Sequence, residues 1–130
     1  MAKALAKHLG DNLVEAEVRG HKVRLDVPQS WGGSERAMYP PELTAASLAA
    51  CTLVTINKYC QEAGLDCKDT QVEVEYTNVE GPAYFGPIKI KIIVPHADLK
   101  GREKALLKVA NHCTVHGILT NKHEIEVSIK

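Results

Sequence analysis

Alternating apolar and polar positions along the chain predict five β-strands. In residues 12–19 and 22–27 apolar side chains occupy every second position, and Gly20 with His21 supplies a turn between them. These two runs therefore predict a hairpin, with Arg24 on its polar face. The same alternation recurs in three later runs, residues 72–76, 88–94 and 125–129.

A long helix is predicted after the first hairpin. Residues 43–63 contain neither proline nor glycine, and Gly64 is a good helix stop. Pro41 suits the first position of a helix, and Glu42 suits the first turn, where the helix dipole favours a carboxylate. Small residues dominate the first half of this helix, which predicts close packing on more than one side and a central position in the fold.

A second helix is predicted over residues 102–112, where an apolar stripe at helical spacing ends with Cys113 and Gly117 then interrupts the pattern. The resulting order is β-β-α-β-β-α-β. Because the strands come in runs, this order predicts an α+β fold rather than a doubly wound parallel sheet. A chain of 130 residues without repeats or linkers is expected to form one domain, residues 1–130.

Composition argues against several classes of function. Lys and Arg number 16, Asp and Glu number 16, and the formal net charge of zero argues against a nucleic-acid partner and a basic membrane anchor. The first ten residues lack the apolar core of a signal peptide, and no run approaches the roughly 18 apolar residues of a membrane span. We therefore expect a cytoplasmic protein, in which paired cysteines serve redox chemistry or metal binding more often than structural disulfides.

The four cysteines differ in where the predicted elements place them. Cys51 and Cys60 are nine residues apart and point to opposite sides of the long helix, so they cannot pair within it. Cys113 ends the apolar stripe of the second helix, and Cys51 and Cys113, on the buried faces of two helices that must pack together, are predicted to be the only plausible pair. Cys60 and Cys67 are expected to be bystanders. The absence of C-x-x-C removes the thioredoxin-type motif, and buried thiols that act as small hydrophobic residues remain a simpler alternative.

Two local sequences resemble motifs of the OsmC/Ohr family, the osmotically inducible protein C-like and organic hydroperoxide resistance proteins. The family's central-helix signature is similar to Gly32-Gly33, to Pro41-Glu42-Leu43 and to the run AASLAACT at residues 45–52. Its second motif, A-x-x-C-P-V-x, is similar to ANHCTVHG at residues 110–117, with Thr114 in place of the usual proline. The resemblance covers residues 10–130.

The resemblance implies the family's α+β domain and an intertwined homodimer with the central helices in its middle. It also implies an antioxidant peroxidase in which Cys51 attacks an organic hydroperoxide and Cys113 resolves the sulfenic acid as a disulfide. The implied reductant is a dithiol, and no bound cofactor or metal is expected. Because Thr114 replaces proline, the turn that positions Cys113 is expected to be looser.

An arginine and a glutamate are expected to assist the thiol. Cys51 lies too far from the start of its own helix for the dipole to lower its pKa, so its thiolate is expected to need a cation. Arg24 is the first choice for that cation, with Arg19 and Arg36 as alternatives. Glu42 would hold the guanidinium through a bidentate pair, although it also fits the simpler role of a first-turn carboxylate.

Apolar residues near the two thiols predict a pocket that favours organic hydroperoxides over hydrogen peroxide; they are Leu48, Leu53, Val115 and Ile118. Two alternatives to a peroxidase stay open. A zinc site would combine Cys51 and Cys113 with His112 and His116, although adjacent residues diverge on a helix. A non-catalytic dimer would bind a small apolar molecule without a competent arginine.

Overall fold

The computed structural model describes residues 2–130. Its strands and helices are β1 (Leu5–Gly10), β2 (Leu13–Val18), β3 (His21–Leu25), α1 (Pro40–Ala63), β4 (Gln71–Asn78), β5 (Phe85–Ile93), α2 (Glu103–Ala110) and α3 (Thr114–Thr120). The predicted α+β class is confirmed. The chain separates into two compact units, one ending at Ala45 and the other running from Ala46 to Lys130, while one domain over residues 1–130 stays a prediction. Among the described residues no helix is both long and apolar enough to cross a membrane.

The first unit contains a three-stranded antiparallel sheet in the order β1-β2-β3. The predicted hairpin is confirmed as β2 and β3, and Arg24 lies on β3 directly opposite Glu15. The strand β1 is absent from the sequence prediction because its apolar Leu5 and Leu9 are weakly patterned and both are exposed. Its turn into β2 forms at Asp11, whose φ of 50° lies in the left-handed region that Asp tolerates.

The loop after β3 needs its two glycines for different reasons. Gly32 has a left-handed φ of 83°, whereas a Cβ at Gly33 would collide with the carbonyl of Val27. The buried carboxylate of Asp26 fixes this loop, since it accepts hydrogen bonds from the Val27 N–H at 2.8 Å and from Arg36 Nε at 3.0 Å. The Val27 N–H first, and then Arg36, lower the pKa of Asp26 to about 2 against the opposing effect of burial.

The long helix α1 has 24 residues and ends before Gly64, whose φ of 68° is that of a left-handed cap. One face of α1 is buried, at Leu48, Thr52, Ile56 and Cys60. On another face Val54 is 68% exposed. Within a single chain, the predicted close packing is therefore found on the first face and not around Val54.

The core of the second unit lies between α1, α2 and the antiparallel hairpin of β4 and β5. Its buried residues are Ile56, Cys60, Leu106 and Ala110. Val72 and Ile92, which are opposite each other in the hairpin, pack against this cluster. The predicted strands over residues 72–76 and 88–94 are thus confirmed as β4 and β5.

The helical segment around Cys113 differs from the prediction. The helix α2 ends at Ala110, and the backbone of Cys113 is extended, with a ψ of 140°, before α3 begins. Gly117 does not interrupt a helix but lies inside α3. Cys113 therefore stands at the start of a third helix rather than at the end of the second.

The last strand, predicted over residues 125–129, is wrong for the single chain. Residues 122–130 belong to no helix or strand, and Ile125, Val127 and Ile129 are 84%, 87% and 99% exposed. A strand needs a neighbour that pairs with its backbone groups, and no strand within residues 2–130 pairs with this segment. The alternating pattern of this segment is therefore not paired with any strand of residues 2–130.

Candidate active site

Cys51 on α1 and Cys113 immediately before α3 are both free thiols. Cys51 is partly exposed, whereas Cys113 is 3% exposed. Cys113 is the N-terminal cap of α3, because its sulfur accepts a hydrogen bond from the His116 N–H at 3.4 Å. A cap of this kind satisfies one of the N–H groups that a helix start leaves unpaired.

The surroundings of the Cys51 sulfur favour its thiolate. The largest contribution is the hydrogen bond from the backbone N–H of Val115, and the Cys113 thiol and the Thr114 N–H act in the same direction. Burial opposes them, and the net effect lowers the pKa of Cys51 below its ordinary value. The Cys113 side chain and the start of α3 are thus the groups that lower the pKa of Cys51.

The donors to Cys51 come from α3 and not from the helix that carries the cysteine. The expectation of a required cation rests on the distance between Cys51 and the start of α1. The groups that lower the pKa of Cys51 lie instead at the start of another helix, α3, and the need for a cation stays a prediction. The sequence signal for it is slight: Cys113 follows the apolar stripe of α2 and precedes a short run that begins a new helix.

Thr114 occupies the first position of α3, where proline is well tolerated. The turn that was expected to be looser is formed, with Cys113 as the cap of a helix over Thr114–Thr120. Proline has no N–H, so Thr114 provides a donor to Cys51 that a proline would not.

The three candidate arginines all belong to the first unit. Arg24 is exposed on β3, and Arg19 is exposed in the preceding turn with a left-handed φ of 53°. The Arg36 guanidinium is already paired with buried Asp26. Among residues 2–130 neither Arg24 nor Arg19 forms an ion pair, so both stay predictions for the cation.

Glu42 is engaged at the start of α1. Its carboxylate accepts a hydrogen bond from the Tyr39 N–H at 2.8 Å, which is the helix-start role considered as the simpler alternative. A pairing between Glu42 and an arginine stays a prediction, since no ion pair of Glu42 occurs within the described chain.

An apolar cleft of about 210 Å³ lies between α1, β5 and α3. Its lining residues are Leu48, Ile88, Ile90, His116, Leu119 and Thr120. Leu48 lies one turn before Cys51 on α1. The backbone N–H of His116 donates the hydrogen bond to the sulfur of Cys113. Of the four predicted pocket residues, Leu48 lines this cleft, whereas Leu53, Val115 and Ile118 are not among its lining residues.

The zinc alternative finds no site in the described part of the chain. No group of three or more His, Cys, Asp or Glu side chains there is arranged to hold a metal ion. His112 is exposed and its Nδ1 lies 2.6 Å from the carbonyl oxygen of Lys108. The Nδ1 of His116 is buried without a hydrogen-bond partner in residues 2–130, but the neighbouring ligands that zinc requires do not surround it.

Cys60 and Cys67 form a disulfide, with their Cα atoms 6.0 Å apart. The prediction that both are unpaired bystanders is wrong, and Cys51 with Cys113 is not the only possible pair. The directions of the side chains on α1 excluded a disulfide between Cys51 and Cys60. They gave no information on the path of the chain after Gly64, where it reverses direction. That reversal returns Cys67 to the last turn of the helix.

The structure is that of a small α+β protein in which groups at the start of α3 lower the pKa of Cys51. The model of the OsmC-like protein family matches residues 32–129. The chain therefore belongs to the OsmC-like family, as the resemblance of its two motifs predicted.

Solved structures of this family share the fold. A protein from Psychrobacter arcticus 273-4, named for osmotic stress induction and a detoxification response, has a TM-score of 0.82 and 23% identity over 91% of this chain and 88% of its own. The organic hydroperoxide resistance protein OsmC from Legionella pneumophila has a TM-score of 0.65 and 22% identity, over 92% of this chain and 89% of its own. An organic hydroperoxide resistance protein from Elizabethkingia anophelis has a TM-score of 0.65 and 19% identity, over 92% of this chain and 88% of its own. No curated protein matches the chain.

Proposed function

We propose that the protein is a cysteine-based peroxidase that reduces organic hydroperoxides in defence against oxidative stress. The observation that carries the proposal is the Cys51 sulfur, whose pKa is lowered by the Val115 N–H, the Cys113 thiol and the Thr114 N–H. A thiolate, not a thiol, attacks a peroxide oxygen. The Cys51 thiolate takes the terminal oxygen as a sulfenic acid, and the O–O bond breaks to release an alkoxide that takes up a proton as the alcohol.

Cys113 then completes the reaction. Its thiol condenses with the Cys51 sulfenic acid, which forms a disulfide and releases water. The contribution of the Cys113 side chain to the lowered pKa of Cys51 supports this step, because it means that the two thiols are near each other. A dithiol reductant returns the disulfide to two thiols by exchange, and no cofactor takes part. The cytoplasm is the compartment we propose, since the cycle begins with reduced cysteines.

The apolar cleft supports an organic rather than an inorganic peroxide. Leu48, Ile88, Ile90 and Leu119 on its walls would cover the hydrocarbon part of a hydroperoxide, and Leu48 lies one turn before Cys51 on α1. Two of the solved relatives are named as organic hydroperoxide resistance proteins, which agrees with this choice.

Arg24 is proposed to orient the peroxide, with Arg19 as the alternative and Glu42 as the group that holds the guanidinium. Because backbone N–H groups already favour the thiolate, the arginine is needed for the oxygens more than for the sulfur. Substitution Arg24→Gln is expected to lower peroxidase turnover without moving the pH at which Cys51 is alkylated. If Arg19→Gln lowers peroxidase turnover and Arg24→Gln does not, Arg19 is the residue that orients the peroxide.

A homodimer is proposed from two exposed apolar features. Val54 is 68% exposed in the middle of α1, and the C-terminal strand pattern of Ile125, Val127 and Ile129 has no partner in the single chain. Sedimentation is expected to give twice the chain mass of 14.2 kDa. Val54→Asp should shift the population to monomer, whereas Leu107→Asp, at a similarly exposed site on α2, should not; a monomeric wild type would remove the proposal.

The peroxidase is tested by mapping thiols after oxidation. Fully reduced protein receives one equivalent of cumene hydroperoxide, and the remaining thiols are alkylated and located by peptide mass. Cys51 and Cys113 are expected to be lost together, and Cys51→Ser is expected to protect Cys113. If all four thiols survive, the peroxidase is excluded and the non-catalytic apolar-ligand protein takes its place.

A further inference from the structure

We propose that Cys60 and Cys67 form a second thiol–disulfide site, which exchanges with small disulfides and dithiols and acts independently of Cys51 and Cys113. The bridge closes a short loop, because the two cysteines are separated by 7 positions in the sequence. It joins the last turn of α1 to the segment that leads into β4. The proposal does not rest on the peroxidase, since neither of its residues belongs to the site described above.

The backbone holds the two cysteines together without help from the sulfur bond. The Cys60 carbonyl accepts a hydrogen bond from the Leu65 N–H at 2.9 Å, just past the left-handed cap of α1. The Cys67 carbonyl accepts hydrogen bonds from the Thr70 hydroxyl at 2.7 Å and from the Thr70 N–H at 3.3 Å. Since these bonds do not involve the sulfurs, a reduced pair would stay close enough to form the disulfide again.

The two sulfurs differ in accessibility, and the difference sets the order of attack. Cys60 is 1% exposed in the core, whereas Cys67 is partly exposed and precedes the exposed Lys68. Cys67 as thiolate attacks a small disulfide and releases one small thiol. The Cys60 sulfur, after its proton leaves, then attacks the Cys67 sulfur and releases the second small thiol. Two protein thiols and one small disulfide thus give one protein disulfide and two small thiols.

A small disulfide is a better oxidant for this site than a hydroperoxide. Among the four cysteines, Cys51 is the one whose pKa is lowered, so a hydroperoxide is expected to react there, and the oxidant assigned to Cys60 and Cys67 is a small disulfide. The second step at Cys60 remains fast because it is intramolecular.

The bridge also stabilises the core on which α2 packs. Cys60 shares a buried cluster with Ile56, Leu106 and Ala110, and Cys67 packs against the same cluster. Closing the loop removes conformations from the unfolded chain, so the oxidised protein should unfold at a higher temperature than the reduced protein.

The test uses the Cys51→Ser/Cys113→Ser double variant, which lacks the proposed peroxidase. The reduced variant is treated with hydroxyethyl disulfide, unfolded, alkylated and mapped by peptide mass. Both thiols are expected to disappear without a retained hydroxyethyl adduct, dithiothreitol should restore them, and the unfolding temperature should rise by roughly 5–10 °C on oxidation. One equivalent of cumene hydroperoxide should leave both thiols intact over the same period.

Cys67→Ser in the same background is the matched control, and it should form only a mixed disulfide without the thermal shift. Thiols that persist, an adduct that remains on the parent double variant, equally fast oxidation by the hydroperoxide, or oxidation without a thermal shift would each overturn the proposal. Mapping Cys60 and Cys67 in the wild-type chain gives the same readout, so a folding defect of the double variant does not hide the result.

Discussion

The two cysteine pairs of this chain share one helix and one core but have opposite surroundings. Cys51 faces the start of α3, where N–H groups and the Cys113 thiol bind its sulfur. Cys60 faces apolar side chains of the core and is bonded to Cys67 within a short loop. Cys51 and Cys113 are far apart in sequence and are brought near each other by the tertiary fold. Cys60 and Cys67 are close in sequence and are brought together where the chain reverses after α1.

This difference shows that the groups around a sulfur, more than its place on a helix, decide its chemistry. Cys51 lies in the middle of α1, where the dipole of that helix has no effect. Its pKa is nevertheless lowered, because the Val115 and Thr114 N–H groups belong to a different helix. Cys60 lies on the same helix, but it is buried in the apolar core and bonded to Cys67.

The largest expected difference is in peroxidase turnover. Cys51→Ser removes the nucleophile and should lower the steady-state rate with a dithiol reductant by roughly a thousandfold or more. Cys67→Ser should keep the rate within about twofold, because its sulfur carries no part of the cycle. The rate is followed as loss of cumene hydroperoxide. A comparable loss in both variants would mean that the two pairs are not separate.

The sequence predicts the parts of the fold that depend on local chemistry. Pro41 and Gly64 delimit α1 within a residue, because a fixed φ and a left-handed φ act locally. The strand predicted at residues 125–129 fails because pairing requires a neighbour that no local pattern can supply. The site divides in the same way: the motifs pointed to Cys51 and Cys113, but the donors at Thr114 and Val115 depend on how α3 meets α1.

The second difference concerns stability. Opening the Cys60–Cys67 bridge should lower the free energy of unfolding by about 2–3 kcal/mol, as expected for a loop this short. Urea unfolding of oxidised wild type, reduced wild type and Cys67→Ser measures the effect, and the last two should nearly coincide. Cys51→Ser should unfold close to the wild type in the same redox state. Equal stability of the oxidised and reduced wild type would show that the bridge does not contribute.

A third and smaller difference is expected in the pH dependence of Cys51. Thr114→Pro removes one N–H donor while proline remains acceptable at the first helical position, so the pKa of Cys51 should rise. Because less thiolate is then present at neutral pH, alkylation by iodoacetamide should slow by roughly 3–10-fold and recover at higher pH. Thr114→Ala keeps the N–H and is the matched control. Identical pH profiles for the two variants would exclude Thr114 as a donor.

The smallest effect separates the two roles of Cys113. Cys113→Ser keeps a donor for Cys51 and an acceptor for the His116 N–H, whereas Cys113→Ala removes both. Loss of the cap should lower the free energy of unfolding by about 1 kcal/mol in the alanine variant relative to the serine variant. The pKa of Cys51, measured from the pH dependence of a single alkylation, should rise in the alanine variant and change little in the serine variant. Since the Val115 N–H makes the largest contribution, the rise should leave Cys51 below the pKa of an ordinary thiol, and a full return to the ordinary value would place the control of this sulfur in Cys113 instead of the start of α3.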